Sequence, residues 1–98
     1  MTFKVIKYFG STCAPCKAIA PIFDKVQKQL EEEGFVFESR SIDEDTYRDE
    51  ARTFGIRGIP TIVVFEDSNP LDMKTGMQSE DMLRNFILSA ARKAENAS

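Results

Sequence analysis

The run Phe9-Gly10-Ser11-Thr12-Cys13-Ala14-Pro15-Cys16-Lys17 decides how the rest of this chain is read. Before it, residues Phe3 to Phe9 alternate around Val5, Ile6 and Tyr8 and read as a strand. Gly10-Ser11-Thr12 reads as a turn. From Pro15 onward, Ile19, Ile22, Phe23, Val26 and Leu30 recur at helical spacing, and Lys25, Gln27, Lys28, Gln29, Glu31 and Glu32 fill the other face. The chain has two cysteines, and both stand where strand gives way to helix. A C-x-x-C pair in that place reads as a dithiol–disulfide redox centre. The two thiols can close a small ring without moving the fold. The helix N-terminus offers unpaired N–H groups and a positive dipole end, which favour a thiolate over a thiol.

Working outward, Pro21 lies inside the helix and is expected to kink it, and Gly34 stops it. Phe35 to Ile42 reads as a second strand, so strand, helix and strand make a right-handed parallel crossover. Thr46 to Phe54 reads as a short helix with Asp45 or Thr46 as N-cap and Gly55 beyond its end. Thr61 to Phe65 is dense in β-branched residues and reads as a buried strand. Asp67-Ser68-Asn69-Pro70 is a turn signal, and Leu71 to Thr75 reads as a short antiparallel edge strand ended by Gly76. Ser79 caps a last helix with Met82, Leu83, Phe86, Ile87 and Ala90 on one face, and residues 94–98 are expected to fray. The order is β-α-β-α-β-β-α in one α/β domain spanning residues 1–98, without repeats or linkers.

Composition narrows the function. At 98 residues, 42% hydrophobic and 30% charged, the chain has the make-up of a soluble domain with one modest core. A net charge of -3, with 13 Lys and Arg and no basic run among them, argues against nucleic acid as a partner. No apolar stretch approaches the roughly 18 residues of a membrane span. The N-terminus enters a strand pattern at once and has no signal-peptide layout, so a cytoplasmic location is expected, where a thiol pair is more often catalytic than structural. A zinc site needs about four ligands. Two sulfurs and no histidine do not supply them, so no metal is expected. As a structural bridge, a C-x-x-C ring restrains too short a loop to stabilise much.

The chain resembles the thioredoxin family over nearly its whole length. Cys13-Ala14-Pro15-Cys16-Lys17 is close to that family's C-G-P-C-K, and Pro21 stands five residues after the second cysteine, where thioredoxins carry a proline. Ile42-Asp43 is similar to the hydrophobic-Asp step ending the second central strand. Phe54-Gly55-Ile56-Arg57-Gly58-Ile59-Pro60-Thr61 is nearly Y-G-I-R-G-I-P-T, and Gly76 falls where thioredoxins carry a glycine beside the active site. The resemblance implies a thioredoxin-like fold, with a four-stranded mixed sheet flanked by three helices. It also implies a cis Ile59–Pro60 peptide facing the cysteines and protein-disulfide reduction by thiol–disulfide exchange. Cys13 would be the nucleophile and Cys16 the resolving thiol. The redox-active Cys13–Cys16 disulfide would work without a bound cofactor, on disulfide-containing proteins, as a monomer. Electrons would come from NADPH through a thioredoxin reductase, or from glutathione. Substrate would lie across Thr12, Ile42, Gly58, Ile59, Thr75 and Gly76, the backbone of Ile59 pairing with an extended segment. Pro15 resembles the reducing members of the superfamily.

Three features depart from the family. The chain begins directly at the strand leading to the cysteines, whereas thioredoxins usually place a strand and helix before it. Thr12 stands where a tryptophan normally precedes the first cysteine, which makes the expected substrate surface smaller and more polar. Lys7 stands six before Cys13, where thioredoxins keep a buried acid. Lys7 could favour a thiolate electrostatically, accept a proton if burial depresses its pKa, or snorkel to the surface and take no part. Two rival functions remain open. A glutathione-dependent, glutaredoxin-like enzyme is suggested by the short chain and Tyr8, and a partner-binding module would leave the thiols incidental. Asp43 and Arg57 read as solvated loop charges.

Overall fold

The computed structural model of the chain describes residues 2–96. Strand β1 (Phe3–Phe9) runs parallel to β2 (Phe35–Ser41) and antiparallel to β3 (Thr61–Glu66). Strand β4 (Asn69–Thr75) pairs antiparallel with β3, giving the order β2-β1-β3-β4. Helices α1 (Ala14–Leu30), α2 (Asp45–Thr53) and α3 (Glu80–Asn96) flank this four-stranded mixed sheet, in the element order read from the sequence.

Strand side chains alternate between faces, and this period of two divides the core. Val5 of β1 and Ile62 and Val64 of β3 point to one side, where Phe23, Val26 and Leu30 of α1 and Leu83, Ile87, Ala90 and Ala91 of α3 cover them. Ile6, Tyr8, Val63 and Phe65 point to the other side, against Ala51 of α2, Phe54 and Ile56. The cysteine run joins β1 to α1 across the end of the sheet, and the chain from Ile56 to Pro60 returns to that same end before β3 begins.

Several boundaries differ from the sequence reading for physical reasons. Helix α1 starts one residue before Pro15 and stays helical through Pro21, whose missing N–H removes one internal bond. Gly34 ends the following 3-10 turn at φ 94°, in the left-handed region. Strand β2 stops at Ser41, although the Ile42 N–H still donates to the Phe9 carbonyl at 2.8 Å. The N-cap of α2 is Glu44, with no side-chain bond, so neither Asp45 nor Thr46 caps it. The expected turn over 67–70 contracts to Asp67-Ser68, with Asp67 at φ 54°, a conformation that a short polar side chain tolerates. Pro70 therefore enters β4. It is accommodated because β4 is an edge strand with an irregular register opposite Val64 and Phe65. Residues 94–96, expected to fray, continue α3, and 97 and 98 lie outside the described residues. No helix among the described residues is long and apolar enough to cross a membrane.

Candidate active site

Cys13 and Cys16 are joined as a disulfide at the start of α1, with Cα atoms 5.2 Å apart. Cys13 is the N-cap residue, and its Sγ accepts from the Cys16 N–H at 3.2 Å. A sulfur thus takes the place of the usual capping oxygen on one of the helix's unpaired donors. No acidic side chain sits in the first turn to offset the dipole. Pro15 occupies the second helical position, where its missing N–H costs nothing. Cys13 is half-buried and Cys16 is 3% exposed, so the outer sulfur is the one a second molecule can reach.

A second loop closes on this pair. The Ile59–Pro60 peptide is cis, and the Ile59 carbonyl oxygen lies 3.8 Å from Cys13 Sγ. Pro60 is buried beneath, and its carbonyl accepts from the Gly76 N–H at 2.8 Å. Gly76 sits at φ 99°, where a side chain would be strained. Ile59, Gly58, Thr75 and Gly76 are thereby brought together beside Cys13. Ile42, Gly58 and Ile59 share an open hollow of about 190 Å³ whose surface is mainly apolar and whose lining also includes Arg48, Arg52 and Arg57. Thr12 is exposed next to Cys13 and makes no hydrogen bond to a described residue.

Three residues hold these loops in ways the sequence reading did not assign to them. Thr61 is fully buried at the start of β3. Its hydroxyl donates to the Gly58 carbonyl at 2.6 Å and lies 2.8 Å from the Thr75 hydroxyl, tying the Pro60 loop to β4. Asp43, read as a solvated charge, is exposed but accepts from the Ser11 N–H at 3.3 Å and so steadies the turn before Cys13. Gly10 presses on the same loop, since a Cβ there would meet Ile59 Cδ1 at 2.8 Å. The β-branched start of β3 was the available signal for Thr61. Nothing local marked the other two as contacts.

Lys7 is 6% exposed, so its stem lies inside the fold, and it borders an open cavity beside the cysteines. It shares the sheet face of Val5, as alternation requires. Its Nζ lies 5.0 Å from the Phe23 ring centroid and 5.4 Å from that of Phe9. Its ammonium makes no hydrogen bond or ion pair with any described residue. Burial holds its pKa below the ordinary lysine value, partly countered by the charge of Asp24. Lys7 and Cys16 line one open, largely apolar cavity of about 210 Å³.

Tyr8, on the other face, is fully buried and donates to Glu50, which also pairs with Arg40. Burial first, then the Glu50 bond and charge, push its pKa well above the usual phenol range. Arg40 bonds Glu38, and Glu38 meets Lys4 at 3.2 Å, so Tyr8 belongs to a structural network behind the sheet. Among the described residues no three His, Cys, Asp or Glu side chains gather as a metal site.

Comparison with known proteins agrees with this geometry. The family profile described as Thioredoxin matches residues 2–89. The thioredoxin of Rickettsia prowazekii is 32% identical over 83 residues, which cover 85% of this chain and 76% of that protein. The thioredoxin of Pseudomonas aeruginosa is 35% identical over 83 residues, covering 85% and 74%. Among solved structures, Malassezia sympodialis thioredoxin superposes with a TM-score of 0.79 at 28% identity, covering 91% of this chain and 75% of that one. Fasciola hepatica thioredoxin gives a TM-score of 0.79 at 26% identity, covering 91% and 81%.

Proposed function

The chain belongs to the thioredoxin family, and from that premise we propose how its two cysteines divide the work of reducing protein disulfides. Thiol–disulfide exchange by a thioredoxin-like protein-disulfide oxidoreductase is the activity that the family and the Cys13–Cys16 pair support. In the reduced enzyme Cys13, as thiolate, attacks a substrate disulfide. The substrate S–S bond breaks, one substrate sulfur leaves with the electron pair and takes a proton, and a Cys13–substrate mixed disulfide forms. Cys16, as thiolate, then attacks Cys13 Sγ. The second substrate sulfur departs, and two electrons have passed from the cysteine pair to the substrate. The observation that carries this assignment is the contrast in access, with Cys13 half-buried at the helix tip and Cys16 at 3% exposure.

With no histidine in the chain, lowering of the Cys13 pKa falls to the helix N-terminus and the Cys16 N–H. The substrate segment lies across Ile42, Gly58, Ile59, Thr75 and Gly76, and the apolar hollow beside Ile59 supports that placement. An extended segment pairs with the Ile59 backbone, a short case of strand addition. Pro15, as in the reducing members of the superfamily, supports a reductant, with a potential nearer the thioredoxin value of about -270 mV than the oxidising about -120 mV. It works as a monomer in the cytoplasm, drawing electrons from NADPH through a thioredoxin reductase. Tyr8 lends no support to glutathione as the donor, because it is buried in the network behind the sheet.

Insulin reduction, run with NADPH and a thioredoxin reductase and separately with glutathione and its reductase, tests this reading. Turnover with the first system is expected. Turnover only with glutathione transfers the protein to the rival class, and none with either, while dithiothreitol drives insulin reduction without acceleration, overturns the reading.

A further inference from the structure

The structure places a lysine without a counter-ion beside the buried half of the redox pair. An ammonium group with a buried stem and restricted access to water gains from a nearby anion, because its desolvation is otherwise only partly compensated. Among the described residues, the groups that meet the Lys7 ammonium are two ring faces, Phe9 and Phe23. Its strand neighbours in register, Ser39 on β2 and Ile62 on β3, carry no charge. Of the charged groups on α1, those that bear on Lys7 are Asp24, which is exposed and acts on it through its charge without an ion pair, and Lys17, which lines the same cavity and is itself cationic. The remaining ionisable group on that cavity is Cys16, and in the disulfide it carries no charge.

We propose that the missing counter-ion is the Cys16 thiolate, so that Lys7 holds that thiolate ready for the resolving step and reduction of the disulfide is linked to protonation of Lys7. When a dithiol such as dithiothreitol reduces the pair, the Cys13–Cys16 bond breaks and two electrons pass to the sulfurs. The reductant becomes a disulfide and gives up two protons, one taken up by Cys13 or solvent and the other by Lys7 where it is neutral, otherwise by solvent. Cys16 sulfur then remains anionic opposite a protonated Lys7. In the mixed disulfide this thiolate attacks Cys13 Sγ, the Cys13–substrate bond breaks, the substrate sulfur leaves with the electron pair and takes a proton from solvent, and Lys7 again faces an uncharged pair. Lysine and thiol titrate as a coupled unit, and the linkage is reciprocal: whatever raises the proton affinity of Lys7 on reduction equally favours the charged sulfur. Lys7 is a positioning residue in this scheme, acting on substrate only through Cys16. The scheme rests on the exchange reading above and deepens it.

The test follows the Lys7 Cε resonance through a pH titration by carbon-13 NMR in three states: oxidised wild type, dithiothreitol-reduced wild type, and reduced Cys16→Ser. The midpoint is expected to rise on reduction and to fall back to the oxidised value in Cys16→Ser. Equal midpoints in oxidised and reduced wild type, or a rise that persists in Cys16→Ser, overturn the proposal. A second readout is the Cys16 Cβ titration in reduced Lys7→Met, whose midpoint should move up. A roughly tenfold loss of thiolate at pH 7 is expected for each pKa unit of that shift, and an unmoved midpoint counts against the proposal. Both readouts use no substrate, so a failed insulin assay would remove the exchange reading without touching them.

Discussion

Replacing Thr61 by valine should loosen the loop that faces Cys13 while leaving the core shape intact. Valine matches threonine in outline and suits a buried strand, so the change removes two hydroxyl contacts and little else. The Thr75 hydroxyl belongs to an exposed residue and can turn to water. The Gly58 carbonyl belongs to a half-buried residue and loses a donor held at 2.6 Å. Stranding such an acceptor costs about 1–3 kcal/mol, and partial access to water places the expected loss near the lower half of that range, about 1–2 kcal/mol. Urea unfolding of the oxidised protein should show a lower midpoint at unchanged m-value. For a domain of this size each 1 kcal/mol corresponds to roughly 4–8 °C in Tm. Gly58, Ile59 and Pro60 hang from this anchor, so the insulin reduction rate should fall with it. A midpoint equal to or above that of the parent, with the rate unaltered, would show that Thr61 does not hold the loop.

Gln78 is 1% exposed, and both polar atoms of its amide lack a partner among the described residues. Gln78→Leu should therefore stabilise the protein, by about 1–3 kcal/mol, and a urea midpoint that falls would refute the expectation. Lys7→Met should stabilise the oxidised form at neutral pH, because it removes an ammonium that burial penalises and that no described residue pairs. The gain should depend on pH with a definite sign. With its folded pKa below 10.5, Lys7 loses its proton first in the folded protein, so the unfolded state binds more protons between the two values. Parent stability thus rises with pH through that window, and the advantage of Lys7→Met shrinks there. Unfolding midpoints of the two proteins that run parallel from pH 7 to 11 would contradict this.

Most of the architecture was legible because it rests on periodicity. The alternation of Val5, Ile6 and Tyr8 placed β1, the spacing of Ile19, Phe23, Val26 and Leu30 placed α1, and Thr61 to Phe65 announced a strand covered on both faces. The Cys13–Cys16 pair was legible because its spacing and its place at a helix start carry their own chemistry. Less was visible where tertiary contacts decide. Asp67 takes a left-handed conformation that lets β4 begin at Asn69, and Pro70 is tolerated because the strand is an edge. Asp43 and Thr61 bond across gaps of 32 and 14 residues, to Ser11 and Thr75, and no local pattern reports such closures. Lys7 is intermediate. Alternation put it on the face of Val5, but only the packing of Phe23 and Phe9 determines that its long stem stays inside.

The central claim is that Cys13 attacks and Cys16 resolves. Removing the resolving thiol tests it most directly, because the covalent intermediate then has no exit. Reduced Cys16→Ser, mixed with insulin and examined by intact-mass and peptide mass spectrometry, should accumulate a mixed disulfide at Cys13. Reduced Cys13→Ser should accumulate none. An adduct carried by Cys16 in Cys13→Ser, with none at Cys13 in Cys16→Ser, would reverse the roles and contradict the account.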